Sequence, residues 1–180
     1  FLDAGADLLT FHVEVEAGGD VGALLAAIRA RGARAGLSVQ PDTPVARLAP
    51  FLPELDLVLV MSVFAGFGGQ KFMADVLPKV AELRRLGFRG EVSMDGGIGP
   101  TTIAEAARAG TKVLVPGTAV FSAPDRTQRI AELRAGRWSR AQDGLQLQGR
   151  TLGLLGLGDV GQRVARVALA LGMPVVAFDP

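Results

Sequence analysis

Three observations predict that the chain is α/β and built in two parts. From Asp7 to Phe121, apolar runs of strand length alternate with amphipathic helical stretches, the order that a parallel sheet with crossover helices requires. Glycine clusters follow the third, fourth and fifth of these runs, at the sheet end where such folds keep their ligand sites. Near the C-terminus, a G-x-G-x-x-G motif lies between another apolar run and a helix, which marks a separate βαβ unit.

The strand runs of the first part are Leu8 to Glu14, Ala35 to Val39, Leu57 to Val63, Glu91 to Met94 and Lys112 to Val115. Between them, Val21, Leu24, Leu25 and Ile28 form one buried helical stripe, and Val76, Val80 and Leu83 form another. Thr43 precedes Pro44 at a first helical position, Thr102 with Glu105 fits a capping box, and Asp125 with Gln128 fits a second. In the second part, Leu152 to Leu155 reads as a strand and a helix starts near Asp159. Val164, Val167, Ala168 and Leu171 recur at helical spacing, Gly172 stops the helix, and Val175 to Phe178 is a second parallel strand. The strand near Leu8 is expected at a sheet edge. The βαβ unit is expected as a separate lobe rather than as strands added beside Val113 to Val115.

Composition narrows the function classes. The chain has 180 residues, 49% of them hydrophobic, and a net charge of +1, enough apolar sequence for one or two soluble globular domains. Nineteen basic residues are scattered among eighteen acidic ones, which excludes a nucleic-acid binder by charge. The Arg-rich stretch from Arg126 to Arg140 reads as a solvated helix face. The absence of cysteine excludes disulfides, thiolate catalysis and Cys-based metal sites, and fits a reducing cytoplasm. No secretory signal opens the sequence, and its longest uncharged apolar run, Leu57 to Gly69, is too short and glycine-rich to span a membrane. FLDAGAD reads as a helix tail leading into a strand, so the sequence is expected to begin inside a domain.

Two sets of residues carry chemistry. GFGGQKF (Gly66 to Phe72), MDGGIG (Met94 to Gly99) and PGTAVF (Pro116 to Phe121) offer successive backbone N–H groups in loops where glycine permits the required backbone angles, so together they suggest a phosphate site with Asp95 among them. Gly156, Gly158 and Gly161 form the other set. They allow a tight turn, the approach of a pyrophosphate and close packing of helix on strand, while the first turn at Asp159 and Val160 presents free N–H groups to the anion. Asp179 follows Gly161 by 18 residues, where a carboxylate can accept hydrogen bonds from an adenosine ribose diol. It would repel a 2′-phosphate, which favours NAD over NADP.

With those residues in view, two resemblances emerge. DLLTFHVEVE, LSVQPDTP, LVLVMSVFAGFGGQKF and EVSMDGGIGPTTIAEAARAGTKVLVPGTAVFSAPD together resemble ribulose-phosphate 3-epimerase over about residues 1–133, covering the last five strands of its (β/α)8 TIM barrel. From Arg134 in RAGRW through QLQGRTLGLLGLGDVG to FDP, the chain resembles the Rossmann-type NAD-binding domain of D-isomer-specific 2-hydroxyacid dehydrogenases. The expected division is therefore 1–133 and 134–180, within IAELRAGRWSRAQDG, with Trp138 as a packing anchor.

The first resemblance implies an isomerase that interconverts D-ribulose 5-phosphate and D-xylulose 5-phosphate, moving a proton at C3 between two aspartates with a divalent metal. It implies that Asp95 is the second aspartate, a general acid and metal ligand. It also implies that Gly66, Phe67, Gly68, Gly69, Gly96, Gly97, Gly117 and Thr118 contact a phosphorylated ketose. The family's metal site needs two histidines and two aspartates, whereas this chain has one histidine, His12, where the family has no ligand. His12 is expected to be hydrogen-bonded to Glu14 or the backbone. The chain also departs from the family pattern. Phe64 and Ala65 stand where the family has Asn-Pro, and Gln40 and Gly99 stand where it has Asn. The second resemblance implies weak NAD binding without hydride transfer, since that family's catalytic Arg, Glu and His fall outside the matching segment. A non-catalytic junction or truncation product is the third reading of the chain taken alone, and self-association through open barrel edges is expected.

Overall fold

The structure is a computed structural model that describes residues 1–15, 20–135, 152–155, 159–170, 173 and 175–178. The first part contains β1 (Leu8–His12), α1 (Val21–Ala30), β2 (Arg34–Val39), β3 (Leu57–Met61), α2 (Pro78–Arg85), β4 (Glu91–Asp95), α3 (Ile103–Arg108), β5 (Val113–Val115), α4 (Gly117–Phe121) and α5 (Arg126–Ala135). Its five strands pair in sequence order, β1-β2-β3-β4-β5, and every pairing is parallel. Sequential parallel order with helical or 3-10 crossovers is the build of a βα barrel, so this is a partial barrel. All five carboxyl ends lie on one side, which brings the loops after β3, β4 and β5 together.

Burial distinguishes the middle of the sheet from its edges. Central strands of a parallel sheet are covered on both faces and read as continuous apolar runs; accordingly β2 is buried from Ala35 to Val39, and β3 at four of its five residues. Every residue of β1 is only part-buried, and β5 has no buried residue. The strand at Leu8 is therefore an edge, as its sequence predicts. Leu25, Ile28, Val45, Leu48, Val76, Val80, Leu83, Phe88 and Ile103 join Leu37, Val39, Val58, Val60, Val92 and Met94 in one core. At the opposite end of the strands, Asp56 binds the Ala35 N–H and Arg29, each at 2.9 Å, and so fastens α1 to the sheet.

The second part contains β6 (Leu152–Leu155), α6 (Asp159–Ala170) and β7 (Val175–Phe178). β6 and β7 pair in parallel with each other as a separate two-stranded sheet. This Rossmann-like βαβ unit adds no strand beside β5. Ala168 is buried, and its carbonyl accepts the Met173 N–H at 2.9 Å. Leu171 and Gly172, read as the helix end, lie outside the described residues. No described helix is long and apolar enough to cross a membrane.

Local details differ from the sequence reading. Leu24 is 44% exposed, so the α1 stripe narrows to Leu25 and Ile28, with Val21 part-buried. The Pro44 segment is a 3-10 helix, Val45–Leu48, with Pro44 one position before it. Thr102 precedes α3 without capping it. Its hydroxyl accepts the Gly99 N–H and donates to the Gly97 carbonyl, each at 2.9 Å, because the preceding loop offers partners that compete with the helix N-terminus. The second capping position holds, with the Asp125 carboxylate accepting the Gln128 N–H at 2.9 Å. Strands β1 and β3 end two residues earlier than their apolar runs, where the backbone turns into the loops. On α5, Arg126 and Arg134 are exposed and Arg129 pairs with Glu132 at 3.1 Å, which fits a solvated face; Arg140 and Trp138 lie outside the described residues.

Candidate active site

A cavity of about 530 Å³ opens at the carboxyl end of the sheet. Gly66, Phe67, Gly68 and Gly69 line it from the loop after β3, Asp95, Gly96 and Gly97 from the end of β4, and Gly117 and Thr118 from the start of α4. All nine residues singled out from the barrel sequence thus meet around one space. Met61, Val63, Phe64 and Ile98, which the sequence reading did not select, supply its apolar wall. Phe67 is 85% exposed and Phe64 46%, so the rim beside the glycines is aromatic.

Packing dictates the glycines at the end of β4. Gly96 and Gly97 have φ angles of +117° and +62°, a region that costs an ordinary L-residue about 1–2 kcal/mol. A Cβ on Gly96 would lie 2.8 Å from the Val63 nitrogen, and one on Gly97 would lie 2.5 Å from the Phe72 nitrogen. The β4 turn therefore presses against the loop after β3. Buried Ser62 closes that contact: its N–H donates to the Asp95 carbonyl at 2.7 Å, and its hydroxyl lies 2.7 Å from the Gly96 carbonyl and 2.9 Å from that of Asp95. Ser62 lies in the MSV stretch that carries the resemblance, but its partners, Asp95 and Gly96, are more than 30 residues away in sequence.

Among the described residues, Asp95 is the only acidic residue on the cavity. Burial raises its pKa above the ordinary value, and a hydrogen bond from the Gly96 N–H offsets this only in part. Its proton is therefore held more tightly than that of a free aspartate, which suits an acid that must deliver one.

A second polar group stands at the same end of the sheet, at and after the ends of β1 and β2. His12 Nδ1 lies 3.3 Å from Glu14 Oε2, the partner expected for it. The other oxygen of Glu14 accepts the Gln40 N–H at 2.7 Å. Burial works against the Glu14 charge, but hydrogen bonds from Gln40, Thr43 and His12 outweigh it and lower the pKa. Lys79 donates to the carbonyls of Gln40 at 2.9 Å and Thr43 at 2.6 Å.

The divalent metal implied by the epimerase resemblance does not fit the described residues. His12 is engaged with Glu14, and no group of three or more His, Cys, Asp or Glu side chains could hold an ion among the described residues. Asp95 supplies one carboxylate. On the βαβ unit, Asp159, Val160 and Gly161 form the first turn of α6, the position expected for an anion site. Gly156, Gly158 and Asp179 lie outside the described residues.

Fold and cavity together define a class: parallel βα barrels with a glycine-lined site at the carboxyl ends of their strands. The chain belongs to the ribulose-phosphate 3 epimerase family, whose pattern matches residues 1–121. Residues 119–180 match the NAD binding domain of D-isomer specific 2-hydroxyacid dehydrogenases. Ribulose-phosphate 3-epimerase of Eremothecium gossypii is 46% identical over 134 residues, 74% of this chain and 55% of that protein. The Mycobacterium tuberculosis enzyme of the same name is 45% identical over 138 residues, 74% of this chain and 59% of that protein. The chain thus spans little more than half the length of these curated relatives. Among solved structures, 3-hexulose-6-phosphate synthase superposes with a TM-score of 0.55 at 23% identity, over 75% of this chain and 64% of that one, a likeness of fold.

Proposed function

We propose that residues 1–133 carry the phosphate-binding loops and one of the two proton-transfer groups of a ribulose-phosphate 3-epimerase site. The observation that carries this reading is Asp95, with its raised pKa, on a cavity ringed by the three glycine loops. Its ligand is a phosphorylated ketose, D-ribulose 5-phosphate or D-xylulose 5-phosphate. The C3 proton of such a sugar is acidic because the C2 carbonyl takes up the electrons as an enediolate, and its return to the opposite face inverts C3. Asp95 gives and takes that proton on one face. Gly97, Gly117 and Thr118 offer backbone N–H groups to the phosphate, while Gly66 to Gly69 and Gly96 border the sugar.

Inversion needs a group on each face, and among the described residues the cavity holds one carboxylate. Losing an acid or base costs roughly 10²- to 10⁴-fold, so the chain alone binds without epimerising. A coupled assay with D-ribulose 5-phosphate is expected to read no turnover above background; turnover that disappears in Asp95→Asn would overturn this. In that sense the isolated chain is a non-catalytic junction of two partial sites. Leu133 packs in the barrel core, which supports a join after residue 133. Among the described residues β1 and β5 are the outer strands of the sheet, which favours self-association, read as mass that rises with concentration in light scattering. The cysteine-free sequence suits the cytoplasm.

The βαβ unit and its family match support a second reading, NAD binding with the pyrophosphate at Gly156 to Gly161. One such unit is half of a dinucleotide site, so Kd is on the order of 1 mM or poorer. Titration with NAD should lose binding in Gly158→Val and change little in Asp179→Ala. Equal affinity in all three proteins would reduce the glycine motif to a turn.

A further inference from the structure

Gln40, just after β2, and Ala65, in the loop after β3, are joined by a hydrogen bond. The Gln40 side-chain Oε1 accepts the Ala65 N–H at 3.0 Å. A proline at position 65 would carry no N–H and could not donate this bond. Gln40 is itself held at both ends of its backbone. Its N–H donates to Glu14 Oε1 at 2.7 Å, and its carbonyl accepts from Lys79 Nζ at 2.9 Å. The side chain of Gln40 thus reaches the loop after β3 from an anchored base.

That loop needs an anchor. It leaves β3 through Phe64 and carries two glycines with positive φ, Gly66 at +135° and Gly69 at +78°. It also presents Phe67 to solvent. On its far side, Gln70 Nε2 donates to the carbonyls of Phe64 at 2.7 Å and Phe67 at 2.8 Å. Without Gln40, the Phe64–Ala65 peptide would keep only the hydrogen bond from Gln70 to its carbonyl, and the glycines widen the range open to the loop. Proline limits such motion by locking φ; a hydrogen bond to a fixed acceptor limits it by another route.

We propose that Gln40 is a positioning residue. Through the Ala65 N–H it fixes the loop that forms one wall of the cavity. The role rests on the phosphoketose reading of the same cavity. A double-mutant cycle separates the two, using D-ribulose 5-phosphate titrations and amide hydrogen exchange on the full chain. Gln40→Ala is expected to weaken binding about three- to tenfold and to lower Ala65 amide protection by a similar factor, with protection restored in the isosteric Gln40→Glu, which keeps the acceptor. In an Ala65→Pro background, Gln40→Ala should have no effect on binding, because the bond is already gone. If Ala65→Pro does not fold, Ala65 exchange in Gln40→Ala decides. An Ala65 amide that exchanges equally fast in wild type and Gln40→Ala overturns the positioning role alone. A protected Ala65 in a wild-type chain that does not bind D-ribulose 5-phosphate overturns the phosphoketose reading, and the positioning role with it. Equal penalties for Gln40→Ala in both backgrounds overturn the pairing.

Discussion

Glu14 and Asp95 stand at the same end of one parallel sheet, two residues beyond β1 and at the last position of β4, and both are part-buried. Their surroundings push their acidities in opposite directions. Glu14 meets the Gln40 N–H, the Thr43 hydroxyl and His12, which outweigh burial and favour its charge. Asp95 meets the Gly96 N–H and a cavity, and burial favours its neutral form. A carboxylate whose lone pairs are filled by its own chain serves the fold. One left facing open space is available to a ligand, and the fold bears the desolvation.

The largest way to break this contrast is to close the cavity. Gly97→Val would force a β-branched side chain into a backbone angle of +62° and against the Phe72 backbone. It should destabilise the chain by about 3 kcal/mol or more and abolish phosphoketose binding, as read by urea unfolding and calorimetric titration. Retained stability would mean that the β4 turn does not pack against the loop after β3.

A smaller effect tests the Glu14 side. Its pKa is lower in the folded chain than in the unfolded one, so its stabilisation is fully present above the unfolded value near 4.5 and is lost as pH falls through the folded value. Glu14→Gln should therefore cost about 1 kcal/mol at pH 7, since the group is partly open to solvent. The gap to wild type should close on acidification. A gap that stays constant with pH would show that the charge of Glu14 contributes nothing.

The smallest effect has the opposite sign. The folded pKa of Asp95 is raised, so its ionised form weighs against folding above that value, and the penalty disappears below the unfolded value near 3.8. Asp95→Asn should leave the chain slightly more stable than wild type at pH 7 and equal to it in acid. Thermal unfolding at the two pH values reads this difference.

How much of this was legible in the sequence depends on whether the signal is periodic or contextual. Alternating apolar runs gave β1 to β5 within two residues, because a buried parallel strand has to be apolar along its length. Glycine clusters after β3, β4 and β5 gave the cavity, because sequential parallel topology forces those loops to one end. The His12–Glu14 pair was legible because both lie on one short segment. Other features depend on neighbours remote in sequence. Leu24 fits the helical period, yet it is exposed. Thr102 fits a cap, but its hydroxyl bonds instead within the Gly97 to Gly99 turn. The Gln40–Ala65 bond joins residues 25 positions apart, and no local pattern announces it. Gln70 lies within GFGGQKF, but only its fold-back onto the Phe64 and Phe67 carbonyls reveals its part.

Carboxyl carbon NMR of the full chain over a pH titration tests the central contrast most directly, with Asp95→Asn and Glu14→Gln identifying the two resonances. The account predicts that Asp95 titrates above 3.8 and Glu14 below 4.5, and that D-ribulose 5-phosphate shifts the Asp95 resonance while leaving that of Glu14 in place. An Asp95 that titrates at or below its ordinary value and does not respond to the sugar phosphate would contradict it.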